Sequence, residues 1–172
     1  MRIPSPANDF QVDHSERLRR TYQVLTGRHL LDPALSPAVA AEVLFHAPFV
    51  VLSHDTAADP ILNYGNLAAL NLFAMSWEEF TAMPSRLTAE ASLRAERERL
   101  LAEVAARGYI DDYAGVRIAK TGARFRIAQA TVWNLSHDTN QRYGQAATFR
   151  QWRMIRTPVS LSGSEPGKQS AS

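Results

Sequence analysis

The apolar positions of the chain change period three times, and each change marks a different kind of element. Leu18, Tyr22 and Leu25 recur at helical steps, which predicts a helix stopped by Gly27. Asp13 with Glu16 reads as a capping box at its start. A second helix, AVAAEVLFHA, is opened by Ser36-Pro37 and ends at Pro48. The run PFVVLSHD is short, β-branched and bounded by proline and polar residues, hence a strand. After a turn at Asp59-Pro60, Ile61–Tyr64 reads as a second strand. Asn66 then caps a helix over Leu67–Met75 that is apolar on most sides, so it must be wedged between other elements. Ser76 with Glu79 is another capping box, opening a short helix through Phe80. Pro84-Ser85-Arg86 interrupts the chain again. Residues 88–107 predict the longest helix, with Leu93, Arg97, Leu100 and Val104 in one stripe, a Glu90/Arg94 pair, and Gly108 as its stop.

Period two then takes over. YIDDYAGVRIA, ARFRIAQATVWNL and YGQAATFRQW predict three successive antiparallel strands, a meander. Strict alternation puts Ile110, Asp112, Ala114, Val116 and Ile118 on one face of the first strand. It puts Phe125, Ile127, Gln129, Thr131, Trp133 and Leu135 on one face of the second. A three-residue turn near Lys120–Gly122 would set Val116 beside an arginine, so an even connection is expected. Asp112 then faces inward opposite Thr131 or Gln129, and Gln145 of the last strand joins them. A β-bulge near Gly115 would instead turn Asp112 outward.

Composition narrows the function classes. The chain has 172 residues, 45% hydrophobic, enough for one core with tails. Residues 1–12 read as a flexible arm, 13–47 as a helical extension, 48–153 as the main domain and 157–172 as a disordered polar tail. A net charge of +2 marks no polyanion binder, so no nucleic-acid partner is expected. No apolar run reaches membrane-spanning length, no secretory signal is evident, and a cytoplasmic location is the expectation. There are no cysteines, and the histidines at 14, 29, 46, 54 and 137 lack metal-site spacing, so no metal is expected.

The blocks SH at 53–54, DPILNYGN at 59–66, SWEEF at 76–80, PSR at 84–86, ERERLL at 96–101, GYIDDYAGVRI at 108–118, ATVWNL at 130–135 and GQAATF at 144–149 occur in order with short gaps. In them the chain resembles the MEKHLA domain, a branch of the PAS-like superfamily, in its stand-alone bacterial type. The resemblance implies an α+β, PAS-like fold: a five-stranded antiparallel sheet with short helices on one face, preceded by N-terminal helices. It implies a sensory or protein-interaction role. Similar domains end plant homeodomain–leucine-zipper factors, but this chain has no homeodomain or zipper heptads, so DNA binding does not carry over. Haem-binding PAS domains often use a histidine ligand, and residues 88–107 contain none, so no haem is expected. The lack of cysteine excludes the flavin photoadduct of light-sensing relatives; a non-covalent flavin or another small molecule stays open.

The chemistry follows from these placements. Ser53-His54-Asp55 are strand neighbours pointing to alternate faces and cannot relay a proton as a triad. Asp111 and Asp112 are separated for the same reason. The candidate ligand-binding set is Asp112, Gln129, Thr131, Gln145, Trp133, Tyr64 and Arg86, around a pocket between sheet and short helices. Core packing accounts equally for Trp133, and capping and turn formation for Asn63 and Asn66. A non-catalytic binding or interaction module is the primary reading. The alternative is a cone-type α+β enzyme of isomerase or dehydratase kind with Asp112 as base. A homodimer through the Leu18, Tyr22 and Leu25 stripe is the partner expectation.

Overall fold

A computed structural model of the protein describes residues 1–90 and 94–156. Leu93 of the predicted stripe and the tail at 157–172 lie outside the described residues. Helices α1 (Val12–Thr26) and α2 (Pro37–Phe45) precede strands β1 (Val50–His54) and β2 (Leu62–Gly65). Helices α3 (Leu67–Phe73), α4 (Trp77–Phe80) and α5 (Arg94–Arg107) follow. Strands β3 (Tyr109–Ile118), β4 (Arg124–Ser136), β5 (Arg142–Phe149) and β6 (Gln151–Ile155) complete the sheet. Its order is β2-β1-β5-β4-β3, antiparallel throughout, and β6 pairs with the first half of β4. The sixth strand is β5 continued past Arg150. Among the described residues no helix is long and apolar enough to cross a membrane.

The stretch NYGN works as its residue types dictate. Asn66 is fully buried and caps α3, its Oδ1 accepting from Ala69 N at 3.2 Å and from Val51 N at 3.1 Å. Its Nδ2 donates to the carbonyls of Leu44 (3.1 Å) and Phe49 (2.8 Å). One amide therefore joins the end of α2, the start of β1 and the start of α3. The Ser36 cap, the Ser76/Glu79 capping box and the left-handed stop at Gly27 (φ 71°) also form.

Two local expectations give way to tertiary contacts. Helix α1 starts at Val12 without a side-chain cap, and Glu16 pairs with Arg19 instead of closing a capping box with Asp13. Glu90 lies before α5 and pairs with Arg124 of β4, not with Arg94. At the N-terminus the chain kinks through Asp9, Phe10 and Gln11, all at left-handed φ (51°, 51° and 54°), and Trp77 Nε1 donates to the Met1 carbonyl at 3.0 Å.

Both faces of the sheet are covered, which is why Ala130–Trp133 are four consecutive buried residues. Helices α3 and α5 pack on one face, where Phe73 meets Phe125 edge-on at 5.2 Å. Helix α1 covers the other: Leu18 and Tyr22 are buried, Tyr22 meets Trp133 at 5.0 Å, and Trp133 Nε1 donates to Thr21 Oγ1 at 3.0 Å. The stripe expected to meet a second subunit is thus occupied by the chain's own sheet. A polar chain pins the same helix. Ser53 Oγ donates to Asn63 Oδ1 (2.6 Å), so it accepts from His14 Nε2–H (3.0 Å), and His14 Nδ1 accepts from the Tyr143 hydroxyl (3.0 Å). A neutral imidazole, protonated at Nε2, makes both bonds. Burial first, and Arg17 second, lower the His14 pKa to about 4.

Two predictions follow from these contacts. Asn66→Ala strands buried backbone groups at three sites and should lower unfolding free energy by roughly 2–4 kcal/mol in urea titrations. Asn66→Asp, with no donor for two carbonyls, should not restore it; a loss below ~1 kcal/mol in both would contradict the joining role. Between pH 6.5 and about 4 the unfolded chain takes up a proton at residue 14 that the native state refuses, so stability falls as pH falls. At about 1.4 kcal/mol per pH unit the loss is roughly 3 kcal/mol. His14→Gln should flatten that part of the stability–pH curve relative to the native protein; parallel curves would contradict the assignment.

Candidate functional site

Helix α5 roofs a cavity of about 60 Å³ against one face of the sheet. Its walls are mostly apolar, with Leu52, Phe73, Leu100, Ile127 and Val132 among them. Polar side chains enter from three elements and one turn: His54 of β1, Gln145 of β5, Arg97 of α5, and Ser85 of the 3₁₀ turn Ser85–Thr88. Tyr113 and Arg117 of β3 close the side.

Pairing explains the polar cluster. His54, Gln145 and Asn134 lie directly opposite one another on β1, β5 and β4, and so share a face. Gly144 permits the close approach, since a Cβ there would lie 2.3 Å from the His54 carbonyl oxygen. Gln145 Nε2 donates to Asn134 Oδ1 (3.0 Å) and to the Leu101 carbonyl (3.3 Å), while Asn134 Nδ2 donates to the Val104 carbonyl (2.9 Å). The two amides tie α5 to the sheet. Gln145 Oε1 stays buried without a partner among the described residues. The same holds for His54 Nε2, because its Nδ1–H donates to the Asp55 carbonyl at 2.8 Å. Burial lowers the His54 pKa, and the bond to that carbonyl opposes the shift while Arg97 and Arg142 add to it. The ring is therefore neutral, with its Nε2 lone pair unused.

Arg97 is the main charge at this site. The residue is 9% exposed, and its guanidinium donates to Ser85 Oγ. No carboxylate among the described residues lies within ion-pair distance of it. Burial, then the nearby Arg117 charge, lower its pKa to about 10, so it stays protonated at neutral pH. Arg117 itself donates to the Tyr113 hydroxyl at 2.6 Å and to the Val116 carbonyl at 3.1 Å.

Of the seven residues singled out from the sequence, only Gln145 lines this cavity. Asp112 is exposed, because β3 carries an extra residue between Ile110 and Tyr113 and both aspartates turn to solvent. Gln129 is exposed too, at a left-handed φ of 51° where β4 carries its own extra residue opposite Tyr113–Gly115. That kink breaks the alternation. Phe125 and Ile127 face the helices α3 and α5, whereas Thr131 and Trp133 lie on the α1 side. The hairpin connection corrects the sequence reading as well. Ala119 N bonds the Ala123 carbonyl (2.8 Å), leaving the three-residue loop Lys120–Gly122, and Val116 does stand opposite Arg126. Gly122 supplies the positive φ (86°) such a loop requires. Tyr64 is buried beside His14 at 5.2 Å, away from the cavity, and burial raises its pKa. Arg86 is an exposed partner of Asp59 at 3.1 Å. With Asp112 outside the cavity, the enzyme alternative loses its base.

Periodicity alone missed Arg97, Tyr113 and Arg117. The signal for Arg97 was present: it is the one charge in a stripe otherwise made of Leu93, Leu100 and Val104. A flavin does not fit the residues present. A cavity of about 60 Å³ is far below the ~300 Å³ or more of ordinary cofactor pockets.

Comparison with known proteins agrees with this architecture. A family model described as the MEKHLA domain matches residues 12–154. Among solved structures, the PAS domain of a protein from Colwellia psychrerythraea is similar at a TM-score of 0.57 and 14% identity, over 67% of this chain and 92% of that one. An RNA-binding light-oxygen-voltage receptor gives a TM-score of 0.55 and 16% identity over 69% of this chain and 34% of the receptor. A fungal LOV domain photoreceptor gives 0.54 and 13%, over 80% and 88%. No curated protein matches the sequence.

The kink at Gln129 is open to direct test. Glycine tolerates left-handed backbone and β-branched residues do not, so Gln129→Gly should leave stability unchanged or raise it by up to ~1 kcal/mol. Gln129→Val should lower it by about 1–2 kcal/mol. Chemical denaturation of the two variants decides this; a stabilising valine would mean that residue 129 is ordinary extended strand.

Proposed function

The chain belongs to the MEKHLA domain family, and on that premise we propose that it is a sensory module whose cavity between the sheet and α5 receives a small molecule. The observation that carries this reading is the pair of buried acceptors, Gln145 Oε1 and His54 Nε2, left without partners in residues that line one cavity. Unpartnered buried polar atoms are costly, at ~1–3 kcal/mol each, and a ligand bearing donors removes that cost. The PAS-type neighbours, among them light-oxygen-voltage photoreceptors, support a sensory role.

The route for a signal is short. His54 lines the cavity and its neighbour Ser53 bonds His14 of α1 through the sheet. A ligand that shifts His54 therefore acts one residue away from the contact that pins α1. Helix α1 is the readout in this scheme. The small cavity volume favours the second reading, a protein-interaction module with a filled core, if no ligand is found.

The cavity reading is tested by filling it. Ala147 lies on the cavity face between Leu52 and Val132, and Ala147→Leu places new atoms there. In a thermal-shift screen of small metabolites, compounds that stabilise the native protein should have no effect on Ala147→Leu. At ~100 times Kd the native protein should gain about 2.7 kcal/mol. A screen without hits, or hits kept by the filled variant, would reject the ligand-binding reading and leave the interaction module.

A further inference from the structure

Beside the cavity stands a buried charge whose one side-chain partner among the described residues is neutral. Among the described residues, the charged side chains in ion pairs are all on the surface or partly exposed. Arg97 differs: it is buried, lines an apolar cavity, bonds one serine hydroxyl and makes no ion pair among the described residues. A second guanidinium, Arg117, lines the same cavity and already has neutral partners, so it adds positive potential without neutralising anything. Guanidinium has five donors in a planar fork suited to carboxylate, and Ser85 engages only one of its nitrogens. Burying such a group without a counter-charge is unfavourable unless something else supplies one.

The opposite chemistry is offered a few residues away. Gln145 Oε1 and His54 Nε2 are acceptors in need of a donor. The walls between are hydrocarbon, Leu100, Ile127 and Val132 among them. Resting on the ligand-binding reading above, we propose that the cavity takes a small organic carboxylate with an apolar body, held by an ion pair to Arg97, whose hydroxyl or N–H group meets Gln145 and His54. Inorganic phosphate or sulfate satisfies the charge but not the apolar walls. The volume limits the ligand to a short-chain acid.

The test uses lactate and 2-hydroxyisovalerate as probes, each beside its primary amide and beside inorganic phosphate, by isothermal titration on the full chain. The carboxylates should bind saturably and tighter than their amides. Arg97→Met, which keeps the stem and removes the charge, should weaken carboxylate binding roughly 100-fold, equivalent to about 2.7 kcal/mol. Amide binding should change little. Arg97→Lys should recover most of the affinity, and Arg86→Met, at an exposed arginine, should leave it unchanged. Arg97→Met should also be at least as stable as the native protein when no carboxylate is present. Should Arg97→Met not fold, Arg97→Lys and Arg97→Gln keep the comparison. No carboxylate binding up to ~10 mM overturns the proposal. So does a stability loss in Arg97→Met with carboxylate affinity intact, which makes Arg97 a structural tie to Ser85. Phosphate binding equal to that of the carboxylates also overturns it. The two readings fail differently: amides that bind as well as acids, and are displaced by Ala147→Leu, retain the cavity and reject the anion. Carboxylates that need Arg97 but bind Ala147→Leu normally reject the cavity itself.

Discussion

One side-chain amide holds the junctions of this fold together. Asn66 uses both donors and both lone pairs of its carboxamide on backbone groups, so none of its polar capacity is left for water or ligand. The groups it meets are buried chain ends, where a helix finishes, a strand begins and another helix starts. Backbone at such joins has no ladder or helix to bond within, and leaving it unpaired in the interior is unfavourable. Asparagine is among the few residues that present a donor and an acceptor from one short stem. The glycine before it matters equally, because a Cβ on Gly65 would lie 2.7 Å from the Phe80 ring. Once this junction is formed, α3 is directed across the sheet and Phe73 reaches Phe125.

The sheet then divides two tasks between its faces. On one side His14, Ser53, Tyr143 and Trp133 fasten α1 through hydrogen bonds and aromatic edges. On the other, His54, Gln145 and Asn134 face α5 and the cavity. Because adjacent strand residues point to opposite faces, Ser53 and His54 belong to different sides while sharing a peptide bond. That places the helix contact and the cavity contact in mechanical series. Two helical layers on a single sheet also explain why β4 carries an uninterrupted buried run, where a half-exposed strand would alternate.

Electrostatics separates the surface from the cavity. Arg19, Arg86, Lys120 and Arg124 each have an acidic partner in partly exposed settings, where such pairs contribute little. Arg97 sits where water is scarce, and there an uncompensated charge dominates the local potential. The apolar wall and the guanidinium groups of Arg97 and Arg117 together give the cavity a positive potential.

The sequence by itself determined the elements and the family blocks. Caps at Ser36, Asn66 and Ser76 and the stop at Gly27 act within a few residues, so local chemistry decides them. It also separated Ser53 from His54, because alternation is local. What it did not contain was the phase of the sheet. Strict alternation carries Phe125 and Trp133 to one face, and the left-handed residue at Gln129 sends them to opposite faces. A glutamine carries no sign of that conformation, which is held by pairing with β3 and by the two helical layers. The same displacement moved Asp112 and Gln129 to solvent and Thr131 and Trp133 beneath α1. Gln145 stayed in the site because Gln145–Phe149 pair with all of β1 without a register shift. Arg97 was visible as a charge in an apolar stripe, but only the tertiary structure decided that it is buried and makes no ion pair among the described residues, since that depends on residues distant along the chain.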